Sequence, residues 1–308
     1  MEQILRLNNY LKQRFGCKVY KIALNAGLTC PNRDGRIGFG GCIFCSGGGS
    51  GDFASSPELS ISEQITYAIS KVRNKISDGK YIAYFQAYTN TYAPACYLSK
   101  IFYEAINHPD VVALSIATRP DCLPDDVMEL LKELSNVKPV FVELGFQTSN
   151  EETARLIRRG YDNVVFDNAV YKLHEIGVMV VVHTIIGLPY ETGDDIIETI
   201  RYINRLPVNG IKLQLLHVLK GTDLEDFYYR YPDAFLFMET DDYVNILGRC
   251  ISNLRDDIVI HRLTGDGPKA LLVAPMWSAD KKTVLNKINQ YLSKNCIIQG
   301  KEIRQNGT

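Results

Sequence analysis

Six apolar runs of strand length, each separated from the next by a stretch of helical periodicity, leave this chain few folds to adopt. The runs cover residues 18–23, 81–88, 111–117, 140–147, 178–187 and 210–219, with a shorter one at 258–263. Helical spacing recurs at 62–76, 94–107, 124–134, 163–176 and 194–204. Strands apolar along their whole length are buried on both faces, and a helix in every connection means parallel pairing with right-handed crossovers. Six such units predict an α/β fold, a partial (β/α)6 TIM-like barrel. No repeat, low-complexity tract or linker interrupts the pattern. We therefore expect a single domain over 1–308, with its core at about 16–265, a helix over 2–15 in the N-terminal segment 1–15, and a helix over 280–294 in the C-terminal tail 266–308. At 46% hydrophobic and 22% charged, 308 residues suffice for a core of that size.

In such barrels chemistry gathers at the C-terminal ends of the strands, and the loop after the first run holds Cys30, Cys42 and Cys45. Three thiolates are one short of a closed four-ligand site, which suits a metal centre with one position open for chemistry. Gly35, Gly38, Gly40, Gly41, Gly47, Gly48, Gly49 and Gly51 let this loop wind tightly and turn amide N–H groups toward a sulfide cluster. No Gly-Lys-Ser/Thr follows, so it is not a nucleotide P-loop. A structural zinc stays open as an alternative. It needs a fourth ligand, and Cys17 is the nearest thiol.

The ending Cys42-Ile43-Phe44-Cys45 resembles the signature of the radical S-adenosylmethionine (SAM) enzymes. The wide first gap is similar to the elongator-catalytic-subunit-like branch. The runs Ile116-Ala117-Thr118-Arg119-Pro120-Asp121, Val142-Glu143-Leu144-Gly145-Phe146-Gln147-Thr148, Arg158-Arg159-Gly160-Tyr161 and Leu215-Leu216-His217-Val218-Leu219-Lys220-Gly221-Thr222 resemble its YhcC/YtqA type, over residues 6–294. The resemblance implies that Cys30, Cys42 and Cys45 ligate a [4Fe-4S] cluster and that SAM binds its fourth iron. An electron from flavodoxin or ferredoxin would cleave SAM, and the resulting 5′-deoxyadenosyl radical would remove a substrate hydrogen.

Other positions gain expected roles from the same comparison. Where the family places a Gly-Gly-Glu-like segment, this chain reads Phe85-Gln86-Ala87-Tyr88-Thr89-Asn90, so Gln86, Thr89 and Asn90 are candidates for the SAM amino group, or equally for a polar turn. Glu143 and Gln147 share strand parity, and a glutamate in an apolar strand calls for a partner, either the ribose hydroxyls or a neighbouring Lys or Arg. Arg159 matches by spacing a SAM-contacting arginine of coproporphyrinogen-oxidising relatives. Ala117 and His183 stand where those relatives carry acidic residues, which moves ribose recognition toward Glu143. Gly187 resembles the glycine that lets backbone approach the adenine. Arg119, His217 and Lys220 are candidates on the substrate side. Cys17, Cys96, Cys122, Cys250 and Cys296 lack close metal-ligand spacing, which argues against a second cluster, and most of them read as small buried hydrophobes.

For substrate, the YtqA-type resemblance implies tRNA: conversion of the carboxymethylaminomethyl group of the wobble uridine to aminomethyl. A formal net charge of −1 argues for a local basic patch at most. The candidates are Lys12, Arg14, Lys18, Lys21, Lys281, Lys282, Lys287, Lys294, Lys301 and Arg304, with Tyr88, Tyr92 and Trp277 for stacking. A small-molecule or tetrapyrrole-like substrate, and a non-catalytic zinc-stabilised RNA- or protein-binding module, are the alternatives. Eight cysteines at irregular spacing, no visible signal peptide and no apolar run near the ~20 residues of a membrane helix point to the cytoplasm and to no membrane partner.

Overall fold

The computed structural model describes residues 3–49, 51, 54–72, 79–265 and 267–306. Its strands are β1 Lys18–Leu24, β2 Gly79–Phe85, β3 Val111–Thr118, β4 Val140–Gln147, β5 Met179–Ile186, β6 Gly210–Leu215, β7 Val218–Leu219, β8 Val259–Arg262 and β9 Leu272–Ala274. The helices are α1 Leu7–Phe15, α2 Ile61–Val72, α3 Ala95–Ile106, α4 Asp125–Val137, α5 Glu151–Leu156, α6 Asn163–Glu175, α7 Gly193–Asn204, α8 Asp223–Arg230, α9 Thr240–Asn253, α10 Lys281–Lys294 and α11 Lys301–Asn306.

Seven strands form one parallel sheet in the order β1-β2-β3-β4-β5-β6-β8, curled into a half-barrel, as the alternation of runs predicts. The short run at 258–263 is a full member of this sheet. The run at 210–219 is broken: β6 ends at Leu215, the chain turns through Leu216 and His217, and β7 pairs antiparallel with β9 outside the sheet. The N-terminal helix begins at Leu7, and residue 2 and the 73–76 end of the helix expected at 62–76 lie outside the described residues.

Alternate side chains of each strand face opposite ways. The outward set, such as Leu24, Phe85, Ile116, Leu144, Val182 and Leu213, packs under the helices in the main core. The inward set is layered. At the N-terminal ends Val19, Ile82, Ala113, Phe141 and Val181 enclose Leu11 of α1, which plugs that end of the barrel. The helix also bridges the two open edges, packing on β1 and β8, and Arg6 just before it pairs with Ile260. With one end closed by apolar side chains, the opposite end is left as the entrance. No helix among the described residues is long and apolar enough to cross a membrane.

Candidate active site

Above the plug the inward side chains turn polar and line a cavity of about 250 Å3 that opens at the C-terminal ends of the strands. Cys30, Cys42 and Cys45 all line it, brought there by the loop after β1. That loop is built to hold its shape. A turn closes at Cys30, whose carbonyl accepts from the amides of Arg33 and Asp34, and a second joins Cys45 N–H to Cys42 O at 3.0 Å. Arg33 crosses beneath, donating to the carbonyls of Cys45 and Ser46, while Asn32 donates to Arg158 O at 2.7 Å. Gly41, at φ +88°, leaves room for Arg33, because a Cβ there would meet its Nε at 2.9 Å. Burial, with Cys45 and Cys30 beside it, pushes the Cys42 thiol up to about 12. Only a strongly cationic partner would draw out its proton.

Among the described residues no three His, Cys, Asp or Glu side chains converge closely enough to hold one metal ion. The trio therefore does not form a closed single-ion site. Thiolates that each bind a different iron of a sulfide-bridged cluster do not have to converge on one atom. The zinc alternative also loses its fourth ligand, because Cys17 precedes β1 and packs with Leu7, Tyr10 and Phe15 at the plugged end, a strand's length from Cys30.

Gln147 ends β4 with φ +69°, a left-handed conformation that a glutamine adopts only when its surroundings impose it. Its side chain folds back over Gly145, where a Cβ would meet Gln147 Nε2 at 2.8 Å. Its Oε1 is buried without a hydrogen-bond partner, an unsatisfied acceptor on a residue that lines the cavity. Gln86 and Thr89 line the same space. Asn90 does not: its amide donates to Phe85 O at 3.1 Å and to Ala117 O at 2.9 Å, tying the ends of β2 and β3 together.

Two arginines form the cavity's structural wall. Arg119 makes a two-pronged ion pair with Asp121 at 2.9 and 2.8 Å and donates to Arg159 O. Burial alone would lower its pKa, but Asp121 holds it above the ordinary value. Arg159, almost wholly buried, donates to the carbonyls of Phe146, Thr148 and Tyr161 and to Glu151 and Asn163. Its donors are thus spent on the protein.

Of the two partners expected for Glu143, ribose hydroxyls or a neighbouring Lys or Arg, the structure shows lysines. Its carboxylate is fully buried and already accepts from four groups: Oε1 from Lys21 and Ser115, Oε2 from Lys212 at 2.5 Å and His183 Nε2 at 2.6 Å. Burial would raise its pKa, yet the two lysines hold it well below the usual carboxylate range. Lys21 accordingly leaves the expected surface patch. Lys212 was not anticipated at all, although a lysine between Ile211 and Leu213 at an inward position is a legible signal.

His217 reaches the cavity wall packed against Gly265 and Gly267, where a Cβ would meet the imidazole at 2.6 and 2.8 Å. Lys220 does not line the cavity and is exposed in the turn after β7. Gly187 likewise stands outside the lining, at φ +96° in the turn after β5. Of the residues expected to stack on bases, Trp277 is engaged instead with Tyr243 and Met238 O, and Tyr88 donates to Gly47 O at 2.6 Å while lining the mouth. Lys12, Arg14 and Lys18 belong to the plugged end, away from the entrance.

Comparison with known proteins agrees with this architecture. The family model of the radical SAM superfamily matches residues 30–203, and that of the radical SAM C-terminal domain matches residues 208–294. The chain is 45% identical to the Bacillus subtilis (strain 168) protein YtqA, covering 96% of this chain and 91% of that one. It is 34% identical to Escherichia coli (strain K12) YhcC, covering 92% and 91%. The solved structure of Elp3 from the archaeon Methanocaldococcus infernus superposes with a TM-score of 0.67 at 17% identity, over 91% of this chain. The chain spans 64% of that solved chain, which lacks its N-terminal residues 1–46.

Proposed function

The chain belongs to the radical SAM superfamily, and on that premise we propose that it modifies the wobble uridine of tRNA, converting the carboxymethylaminomethyl group at C5 to aminomethyl. One observation carries the reading. Cys30, Cys42 and Cys45 line the same cavity as Gln86, Thr89 and Gln147, whose Oε1 is an acceptor without a partner. In this reading Cys30, Cys42 and Cys45 hold a [4Fe-4S] cluster, and Gln147 receives a ribose hydroxyl of SAM, with Gln86 and Thr89 at the amino end. Bound together, cluster and SAM supply reductive cleavage of a carbon–sulfur bond and the means to abstract a hydrogen atom, with flavodoxin or ferredoxin as electron donor. The chain's own residues position the reactants and exclude water. Arg119 and Arg159 fix the wall, His217 faces the substrate side, and exposed Lys220 stands next to lining residue Leu219, where a phosphate would approach.

Relatedness supports the nucleic-acid substrate. Human Elongator complex protein 3 is 22% identical over 82% of this chain, and the YhcC/YtqA-type motifs point the same way. Anaerobically reconstituted protein, given SAM, reductant and tRNA bearing carboxymethylaminomethyl-uridine, is expected to yield aminomethyl-uridine by nucleoside mass spectrometry. Unchanged tRNA would refute the reading. A small-molecule or tetrapyrrole-like substrate is the second reading, favoured by the net charge of −1. It predicts no salt-dependent affinity for tRNA, whereas the first predicts affinity that falls as salt rises.

A further inference from the structure

The polar row on the cavity floor carries a charge imbalance. Lys21, Tyr84, Ser115, Glu143, His183 and Lys212 share the inward face of successive strands, and two ammonium groups there meet one carboxylate. Burial pushes His183 down to about 4, so its imidazole stays neutral and adds no charge. Burial also lowers Lys212 to about 7, with Lys21 and Arg262 opposing its charge and Glu143 alone favouring it. A buried ammonium is costly unless an anion neutralises it. Protonated, the two ammoniums share one carboxylate, and Arg262, opposite Lys212 on β8, adds a third cation facing the same openings.

The row is also within reach of a ligand. Tyr84, Glu143, His183 and Lys212 line the main cavity below the cysteines. Lys21 and Lys212 face a second opening of about 210 Å3, where β1 and β8 leave the half-barrel unclosed. Tyr84, whose ring lies 4.9 Å from Lys21 Nζ and 4.6 Å from Lys212 Nζ, holds both ammoniums beside that space.

We propose that this row is the substrate floor and takes a carboxylate of the substrate between Lys212 and Lys21, completing the neutralisation that Glu143 leaves unfinished. A carboxylate has two oxygens and can accept from both ammoniums at once. The inference rests on reading the cavity as the reaction chamber and deepens it, since the group removed from the wobble uridine ends in such a carboxylate. Binding there raises the proton affinity of Lys212, because the incoming charge favours the ammonium.

The test is competitive acetylation of the cluster-loaded protein with trace acetic anhydride, with Lys212 reactivity read by peptide mass spectrometry. N-acetylglycine, a monoanion without a free amine, is the probe and neutral N-acetylglycinamide the control. The expected result is a near-neutral midpoint for Lys212 that N-acetylglycine moves up by about one pH unit, a tenfold loss of reactive amine at fixed pH, while the amide leaves it in place. Identical titrations with acid and amide overturn the proposal. The same preparation is assayed on tRNA. Turnover of tRNA without the shift at Lys212 would sink the carboxylate floor alone, and a shift without turnover would sink the tRNA reading alone.

Discussion

Glu143 shows how much one residue can disclose and conceal. Its polarity in an apolar strand and its parity with Gln147 are readable from sequence; its partners, which come from β1, β3, β5 and β6, depend on how the sheet curls. Sequence spacing put Lys21 on a surface for the same reason, since one strand's pattern does not say which face becomes an interior. Removing the charge alone should be costly: Glu143→Gln leaves two buried ammoniums unpaired, and we expect a loss of about 3–5 kcal/mol in denaturant unfolding. Glu143→Gln combined with Lys212→Met should recover part of that loss. Glu191 gives a cleaner titration. Burial raises its carboxyl to about 7, with Thr148 donating to it. A carboxyl with a folded pKa above its unfolded value binds more protons when folded, so its stabilising contribution is present at acid pH and is lost as pH rises through about 7. Glu191→Gln should therefore be more stable than wild type at pH 8 than at pH 5, by up to about 3 kcal/mol; a pH-independent difference would contradict this account.

At the scale of elements, the strands were legible because each is a β-branched apolar run with helical punctuation, and β4 was read to the residue. The break between β6 and β7 was not, since Leu216 and His217 continue the apolar pattern while the chain turns outward toward β9. Helix α9 also went unread, although Tyr243, Val244, Leu247, Cys250 and Ile251 repeat at helical spacing. In the proposed function, cofactor binding depends on the end of β4. Arg159 pins it to the segment between α5 and α6 through the carbonyls of Phe146, Thr148 and Tyr161. Arg159→Ala strands those buried acceptors and should destabilise the fold by about 3 kcal/mol or more, and Arg159→Lys should rescue little, because an ammonium lacks the planar fork. Gly145→Ala addresses function rather than stability. Its Cβ would displace the Gln147 amide, so SAM affinity measured by calorimetry should fall about tenfold, the value of roughly one hydrogen bond. Unchanged affinity would remove Gln147 from the site.

The whole molecule is a half-barrel plugged by α1 at one end and capped by the cysteine loop at the other, with a charged floor between. This arrangement explains why the motifs cluster at the C-terminal strand ends and why the basic residues of α1, at the plugged end, do not flank the entrance. The same architecture gives the three cysteines their meaning, since all three face one cavity. Metal content tests that meaning most directly: iron, acid-labile sulfide and zinc measured in protein purified without oxygen, wild type beside Cys42→Ala. About four irons and four sulfides per chain, lost in the variant, are the predicted result; zinc without iron, or a variant that keeps its full iron, would contradict the account.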